Sequence, residues 1–370
     1  MDRKPRGIKK GNGEKIVVGM SGGVDSSATL ILLKENGWNP VGVSLKFSVW
    51  EDESNVNQNP CCTTDSIQRA KEICNKFECE HYILDIADEF QKNVIDYFID
   101  TIKKSQTPNP CMVCNRKTKF QQLINFADSK GIKYVATGHY ARIVKSKKYN
   151  SFFISDSKDK NKDQTYYLSL LPEEWLPRII FPLGEMTKPE VYRMVAEKGL
   201  GYYEKISQSQ DFCFVSEKTL DKFIEKEIGK EIGNIIDIKG NILGKHKGLQ
   251  YYTIGQRKKI GLAGGPYYVI KKDAKNNTVV VSTDKNDLGK TEINLSDVFF
   301  SNNQFYGKEL EITAKIRYQQ KKCSVKIFPI NKSTKEYKAL FKKPQIGVTP
   351  GQYSVFYIGN LCIGSGVISE

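Results

Sequence analysis

No run of apolar residues in this chain is long enough to cross a bilayer, so a helical membrane protein is excluded. The segment Met1 to Lys15 is basic and glycine-bearing but has no apolar core, so it does not read as a secretory signal. Positions 1–14 read instead as a flexible basic leader, and Asp2 and Glu14 make it a weak organelle-targeting signal. No internal repeat is visible. The nine cysteines are an odd number without a secretion signal, so a structural disulfide framework is not expected. Reduced thiols and a cytoplasmic setting are. Cys111-Met-Val-Cys114 has no second pair at ribbon spacing, which argues against a zinc site. Acidic residues are the scarcer charge, 42 against 57 Lys+Arg, leaving a net +15. That balance supports a polyanionic partner, although lysine-rich composition can also be a background bias.

What is present centres on Lys15-Ile-Val-Val-Gly-Met-Ser-Gly-Gly-Val-Asp-Ser26. Ile16, Val17 and Val18 are a β-branched run suited to a buried strand. Ser21, Gly22 and Gly23 can turn successive amides into one hollow, and Val24 to Asn36 has helical spacing with Gly37 at its end. A strand, a nest of amides and a helix N-terminus together favour phosphate. The loop is not a Walker A loop, because no Gly-Lys-Ser/Thr follows the glycines. It resembles the pyrophosphate loop of the ATP pyrophosphatase superfamily; the alternative is an ordinary strand-to-helix turn.

Further on, Pro40 to Val49 reads as a strand and Glu51 to Asn59 as a polar loop. A helix runs from Cys61-Cys62 to about Phe77, with Thr63 or Thr64 as N-cap. Tyr82 to Ile86 is a strand and Glu89 to Lys104 a helix, stopped by Thr107-Pro-Asn-Pro110. Arg116 to Asp128 is helical, and Tyr134 to Gly138 is a strand ending at His139. The alternation predicts an α/β, doubly wound parallel sheet with ligands at the carboxyl ends of its strands. Ser155 to Lys162 reads as a charged loop, and Gln164 to Leu170 and Lys188 to Lys198 as helices. From about Ile235 short alternating strands and Gly/Asn/Asp turns take over, predicting a small β domain followed by a barrel or sandwich. Residues 308–345 hold eleven Lys+Arg and three Asp+Glu. Arg317-Tyr318 within them sets a cation beside a stacking ring, as RNA binders need, or else belongs to a solvated lysine face.

Cys111 and Cys114 lie on a loop running into a helix, whose N-terminus, with Arg116, Lys117 and Lys119, would favour the thiolate. Cys213 lies between aromatics, which by itself suggests a buried, inert thiol. A redox pair and sulfur transfer both remain open on these residues alone.

The ordered set Gly19-Met-Ser-Gly-Gly-Val-Asp-Ser26, Thr107-Pro-Asn-Pro with Cys114-Asn115, Thr137-Gly-His-Tyr140, Lys162-Asp-Gln-Thr-Tyr-Tyr-Leu168, Ser209-Gln-Asp-Phe-Cys213 and Tyr252-Thr-Ile-Gly-Gln-Arg-Lys258 resembles the tRNA-specific 2-thiouridylases, from about Lys15 to the C-terminus. The resemblance implies an ATP pyrophosphatase domain over 15–215, a central domain over 216–290 and an elongation-factor-like β-barrel over 291–370. It implies that Gly19, Met20, Ser21, Gly22, Gly23, Val24, Asp25 and Ser26 bind ATP, with Leu45 and Gly138 lining the adenosine pocket. Cys114 would be the catalytic cysteine and Cys213 the persulfide cysteine, joined transiently in a disulfide. Asn109, Pro110 and Cys111 would meet the target base. His139, Lys162, Asp163, Gln164, Arg317, Tyr318 and Gln352 would contact or position tRNA. The implied reaction adenylates the wobble uridine at C2 and replaces its oxygen with sulfur. ATP, Mg2+, the tRNA anticodon arm and a sulfur donor, such as a cysteine desulfurase or sulfur-relay protein, are the implied partners. Asp25 would hold the metal or a water, or else serve as a helix N-terminal carboxylate. Cys111 departs from the aspartate usual in the family, so Cys111, Cys114 and Cys213 could instead hold a 4Fe-4S cluster. A non-catalytic tRNA-binding or sulfur-carrier protein is the alternative from another class.

Overall fold

The computed structural model describes residues 10–47, 64–206, 212–216, 218–331 and 335–369. Cys61, Cys62, Thr63 and the polar loop Glu51 to Asn59 lie outside the described residues. Two compact units result. One comprises Met1–Val94, Cys111–Thr219 and Asn360–Ile363; the other comprises Ile95–Pro110, Leu220–Gly359 and Gly364–Glu370.

The first unit is built on β1 (Lys15–Gly19), β2 (Asn39–Lys46), β3 (Glu80–Asp85) and β4 (Tyr134–Ala136). A hairpin of β5 (Arg142–Ser146) and β6 (Ser151–Ser155) follows, then the short β7 (Ile179–Ile180). The parallel sheet runs β3-β2-β1-β4-β7. The side chains of β1 alternate as a strand covered on both faces must. Ile16 and Val18 join the core under helix α1 (Val24–Glu35) and the helix Lys188–Glu197. Val17 joins the opposite core, with Leu123, Ile124 and Ala127 of the helix Gln121–Ser129. The doubly wound sheet is therefore as the alternation predicts. Helix α2 (Thr64–Lys76) packs its Ala70, Ile73 and Cys74 into the first of these cores.

Two helices differ from the sequence reading. The third is not one regular helix: Ala87–Phe90 and Asp96–Lys103 flank a π-turn, Gln91–Ile95. The helix after the prolines starts earlier than Arg116. It runs Pro110–Cys114, widens into a π-turn at Asn115–Phe120 and continues as Gln121–Ser129. Pro110 sits at the first helical position, where its missing N–H costs nothing. The β5–β6 hairpin is too short and too little alternating for its sequence to have announced it. Leu361 and Cys362 pair with it at Ser155 and Ile154.

The second unit is β-rich. Strands β8 (Gly233–Asp237), β9 (Ile242–His246), β10 (Tyr268–Asp273) and β11 (Thr278–Ser282) form a sheet in the order β10-β11-β8-β9. Its hairpins turn where the Lys239-Gly-Asn and Lys275-Asn-Asn signals lie, Gly240 and Asn277 taking positive φ of 88° and 46°. Strands β12 (Gly289–Phe300), β13 (Leu310–Lys315), β14 (Cys323–Pro329), β15 (Tyr337–Ile346), β16 (Tyr353–Ile358) and β17 (Leu361–Ser369) follow in the order β12-β15-β14-β13-β16-β17. β17 returns to β12, closing a barrel and removing its open edges. Of barrel and sandwich, the barrel is what forms.

Candidate active site

The loop at the carboxyl end of β1 is shaped by local bonds. Ser26 Oγ accepts from Ser21 N at 3.3 Å and donates to the Gly23 carbonyl at 2.9 Å. Ser27 Oγ donates to the same carbonyl and meets the Tyr203 hydroxyl at 2.7 Å. Gly22 takes φ +71°, and a Cβ there would lie 2.0 Å from the Ser66 carbonyl oxygen, so only glycine fits. Gly138, beyond β4, packs on the first turn of α1; its Cβ would lie 2.7 Å from the Asp25 carbonyl carbon. Gly23 is the N-cap of α1, and no side chain caps that helix. Its first amides and dipole are thus left to a ligand, the arrangement that suits phosphate. Leu45 lies near the carboxyl end of β2, half-buried against the second core.

Sequence reasoning missed the charge beside this loop. Lys188, at the start of its helix and 9% exposed along its side chain, places Nζ 2.6 Å from Asp25 Oδ1. The Tyr140 hydroxyl donates to the same oxygen at 2.8 Å. Burial and the Asp25 charge push the Tyr140 hydroxyl well up, so it stays protonated and donates. Asp25 Oδ1 is therefore held by two side chains of its own chain. A lysine 163 positions away in sequence is thus brought beside the first turn of α1.

The neighbouring motif residues face inward. His139 Nδ1 is 2.7 Å from Thr137 Oγ1, with the ring between Phe120 and Phe181. Burial pushes its pKa well below the usual histidine range, so the ring is neutral at physiological pH. Asp163 is buried and accepts from Ser157 N at 2.7 Å and from Thr165 N and Oγ1. Gln164 pairs with the backbone of Tyr140 both ways, N to carbonyl and Oε1 from N–H, each at 2.9 Å. Lys162 is half-buried, its amide bonded to Asp159 Oδ1.

Cys111 is exposed near the start of the Pro110–Cys114 helix, and Cys114 closes it. Because the chain continues helically, Cys114 is not at a helix N-terminus, and the expected thiolate-favouring dipole is absent. Burial pushes its thiol up, against the smaller opposing pull of Lys119. The π-turn that follows holds two buried acceptors, Asn115 Oδ1 and Thr118 Oγ1, with no hydrogen-bond partner. Such turns recur at functional sites, and no sequence pattern marks this one. Cys213 is half-buried in a tight bridge between Phe212 and Val215, beside Phe214, which packs on Phe90 at 6.2 Å. Among the described residues, which include Cys111, Cys114 and Cys213, no group of three or more His, Cys, Asp or Glu is placed to hold a metal. The three thiols thus do not form a cluster site here.

In the second unit the Asn109 Nδ2 group donates to Gln352 Oε1 at 3.1 Å. The Arg317 guanidinium is bonded to the Gly347 carbonyl at 2.7 Å, the Ile254 carbonyl at 3.1 Å and Thr349 Oγ1 at 3.3 Å. Tyr318 beside it is half-buried.

Three family models match in succession: a tRNA methyl transferase HUP domain over residues 14–217, a tRNA methyl transferase PRC-barrel domain over 221–283 and an aminomethyltransferase beta-barrel domain over 290–368. Among solved structures, the U34-tRNA thiolase NcsA of Methanococcus maripaludis with its [4Fe-4S] cluster is 19% identical with a TM-score of 0.35. The match covers 60% of this chain and 67% of that one, a likeness too slight to bear on the chemistry. Curated relatives are far nearer. The tRNA-specific 2-thiouridylase MnmA of Acetivibrio thermocellus is 40% identical over 96% of this chain and 99% of its own length, and that of Clostridioides difficile 38% over 96% and 98%. With the uncapped glycine loop and the Pro-Cys-Met-Val-Cys helix in place, this likeness along both chains establishes that the protein belongs to the tRNA-specific 2-thiouridylase MnmA family.

Proposed function

We infer that this chain is an ATP-dependent tRNA 2-thiouridylase acting on the wobble uridine of the anticodon. The observation that carries the reading is the uncapped amide loop after β1, with Lys188 beside it. The C2 oxygen of uracil is a poor leaving group. Attack of that oxygen on the α-phosphorus of ATP forms an O–P bond and releases pyrophosphate, leaving AMP on C2. The amides of α1 receive the phosphate charge. Lys188 exchanges Asp25 for phosphate and supplies the cation that the loop lacks. A Mg2+ ion, if bound, would supply charge neutralisation to the triphosphate beside the α1 amides and Lys188.

Cys213 receives sulfane sulfur from a donor protein as a persulfide. Its terminal sulfur attacks C2, a C–S bond forms, and AMP departs with the former uracil oxygen. Cys114 then attacks the inner sulfur, giving 2-thiouridine and a Cys114–Cys213 disulfide that two electrons from cellular thiols reduce. A flipped, single-stranded base fits how RNA is read at anticodon loops. The basic stretch 308–345 receives tRNA phosphates, with affinity falling steeply with salt. The setting is the cytoplasm.

The test is nucleoside mass spectrometry of tRNA from a strain lacking the gene, with reconstitution from purified chain, ATP and a persulfide donor. Loss of 2-thiouridine in the strain and its formation in vitro are expected. Unchanged 2-thiouridine in the strain overturns the reading and leaves a non-catalytic tRNA-binding or sulfur-carrier protein.

A further inference from the structure

The turn Ser21–Gly23 receives phosphate only if its amides face the ligand. A trans peptide points its C=O and its N–H to opposite sides. Whatever holds the Gly22 and Gly23 carbonyls therefore aims the Gly23 and Val24 N–H groups. The Gly23 carbonyl is drawn along α1: it accepts from Ser27 N at 3.2 Å, from Ser27 Oγ at 3.1 Å and from Ser26 Oγ at 2.9 Å. The Gly22 carbonyl accepts from Arg69 Nε of α2 and from the Tyr203 hydroxyl, each at 3.4 Å. The two N–H groups are thereby turned away from these partners.

Most of these bonds are local, but the serine at their centre is completed from elsewhere. Ser27 is fully buried, and its Oγ meets the hydroxyl of Tyr203, 176 positions away, at 2.7 Å. With the Ser27 proton on the Gly23 carbonyl, Tyr203 donates to Ser27. With the Ser27 proton on Tyr203, the phenol donates to the Gly22 carbonyl. Either arrangement ends on a carbonyl of the turn. Tyr203 lies in the short helix Gly201–Lys205, in the core shared with α1, with its ring stacked on Tyr202 at 4.7 Å. It is 1% exposed, so neither it nor Ser27 is open to a ligand. Burial pushes its hydroxyl well up, so it stays protonated. Phenylalanine would serve the packing equally. A buried hydroxyl is costly unless bonded, and the bonds made here run to the turn.

We propose that Tyr203 is a positioning residue for nucleotide phosphate: through Ser27 and the Gly22 and Gly23 carbonyls its hydroxyl fixes the direction of the Gly23 and Val24 amides. The inference rests on the reading of this turn as the phosphate site of an ATP-dependent thiouridylase. Its consequence is a split between phosphate and nucleoside, read by calorimetric titration of the full chain. In Tyr203→Phe, which keeps the ring and removes the hydroxyl, the dissociation constants for ATP and for pyrophosphate rise about 10-fold, as for one loosened hydrogen bond to a charged group. That for adenosine stays within about twofold of wild type, because adenosine makes no use of the turn's amides. Ser27→Ala gives the same split. The Ser27→Ala/Tyr203→Phe double variant is no weaker than the weaker single variant, because the two act through one another. A purely core-filling tyrosine gives another pattern: Tyr203→Phe binds ATP as wild type does, or loses ATP and adenosine alike. Either result overturns the proposal.

If Tyr203→Phe does not fold, Ser27→Ala takes its place, since it breaks the same bond from the serine side. Wild-type protein is the control for the underlying reading. If it binds ATP but forms no 2-thiouridine, the thiouridylase reading fails and the split is still read. If it binds no ATP, the phosphate-site reading fails. The positioning claim is then decided by hydrogen exchange of the Ser27 amide, which is bonded to the Gly23 carbonyl. Faster exchange in the variant supports it, and unchanged exchange overturns it.

Discussion

The turn Ser21–Gly23 and the segment Thr107–Pro110 both offer backbone to a proposed substrate, yet they keep their shapes by opposite means. The first is bonded mostly to itself, Ser26 and Ser27 reaching back within five residues and a glycine accepting a left-handed φ. The second holds almost none of its own hydrogen bonds and is gripped by residues more than 240 positions away. A self-contained loop is written in a local motif. A gripped loop is written in the fold, and its motif names the residues without naming what holds them.

The largest break in this comparison is expected from Gly22→Ala. The added Cβ meets a backbone carbonyl that cannot yield, and the residue keeps an unfavourable φ. ATP binding and thiolation should fall by more than about 10²-fold with the tRNA affinity unchanged. Equilibrium dialysis with ATP checks this; a variant that binds ATP normally would mean that the nest is not the phosphate site.

Lys188→Met comes next and tests a remote, charged partner of this loop. Loss of a cation at developing phosphate charge should lower turnover about 10²-fold, with Lys188→Arg recovering part. The Asp25→Asn/Lys188→Met pair removes the uncompensated carboxylate. If Lys188 serves only to neutralise Asp25, that double variant regains activity. If it serves phosphate, as inferred here, it does not.

These two residues mark what the sequence could and could not disclose. The β-branched run Ile16–Val18 and the glycines after it announce strand, nest and helix in one stretch, and the structure has them there. Lys188 is invisible to a linear reading because only folding brings its helix to Asp25. Cys114 misled in the other direction. Thr107-Pro-Asn-Pro looked like a break followed by a loop, so the thiol was placed before a helix; Pro110 instead opens the helix, and desolvation outweighs the dipole. Arg317-Tyr318 looked like cation and ring awaiting RNA, but the Arg317 guanidinium spends several donors on backbone carbonyls beside Gly347. Inward hydrogen bonds of this kind leave no periodicity to read.

A smaller effect sharpens the contrast at the cysteine helix. Because burial raises the Cys114 thiol, its thiolate fraction grows as pH rises through and above the ordinary thiol range. Single-turnover thiolation from preloaded persulfide should therefore climb above neutral pH. Lys119 pulls the other way, so Lys119→Gln should slow the step a few-fold at pH 8 and shift the rise to higher pH. A flat profile would mean that Cys114 attack does not limit the step.

The smallest effect concerns the scaffold. His81, His139 and His246 are the chain's three histidines, and burial lowers the pKa of each. Below the ordinary histidine value the unfolded chain takes up protons that the folded chain refuses, so stability is full above about pH 6.5 and declines as pH falls. Thermal melts from pH 7.5 to 5.5 should show that decline, and His139→Gln should flatten it. A melting temperature independent of pH would contradict the buried neutral rings.

The most direct test of the central claim follows the oxygen that leaves. A tRNA carrying 18O at C2 of the wobble uridine, incubated with the enzyme, ATP and a persulfide donor, should yield 2-thiouridine and AMP containing one 18O for each sulfur inserted. AMP without the label, or thiolation accompanied by ADP and phosphate, would contradict adenylation of the RNA oxygen at the Ser21–Ser26 loop.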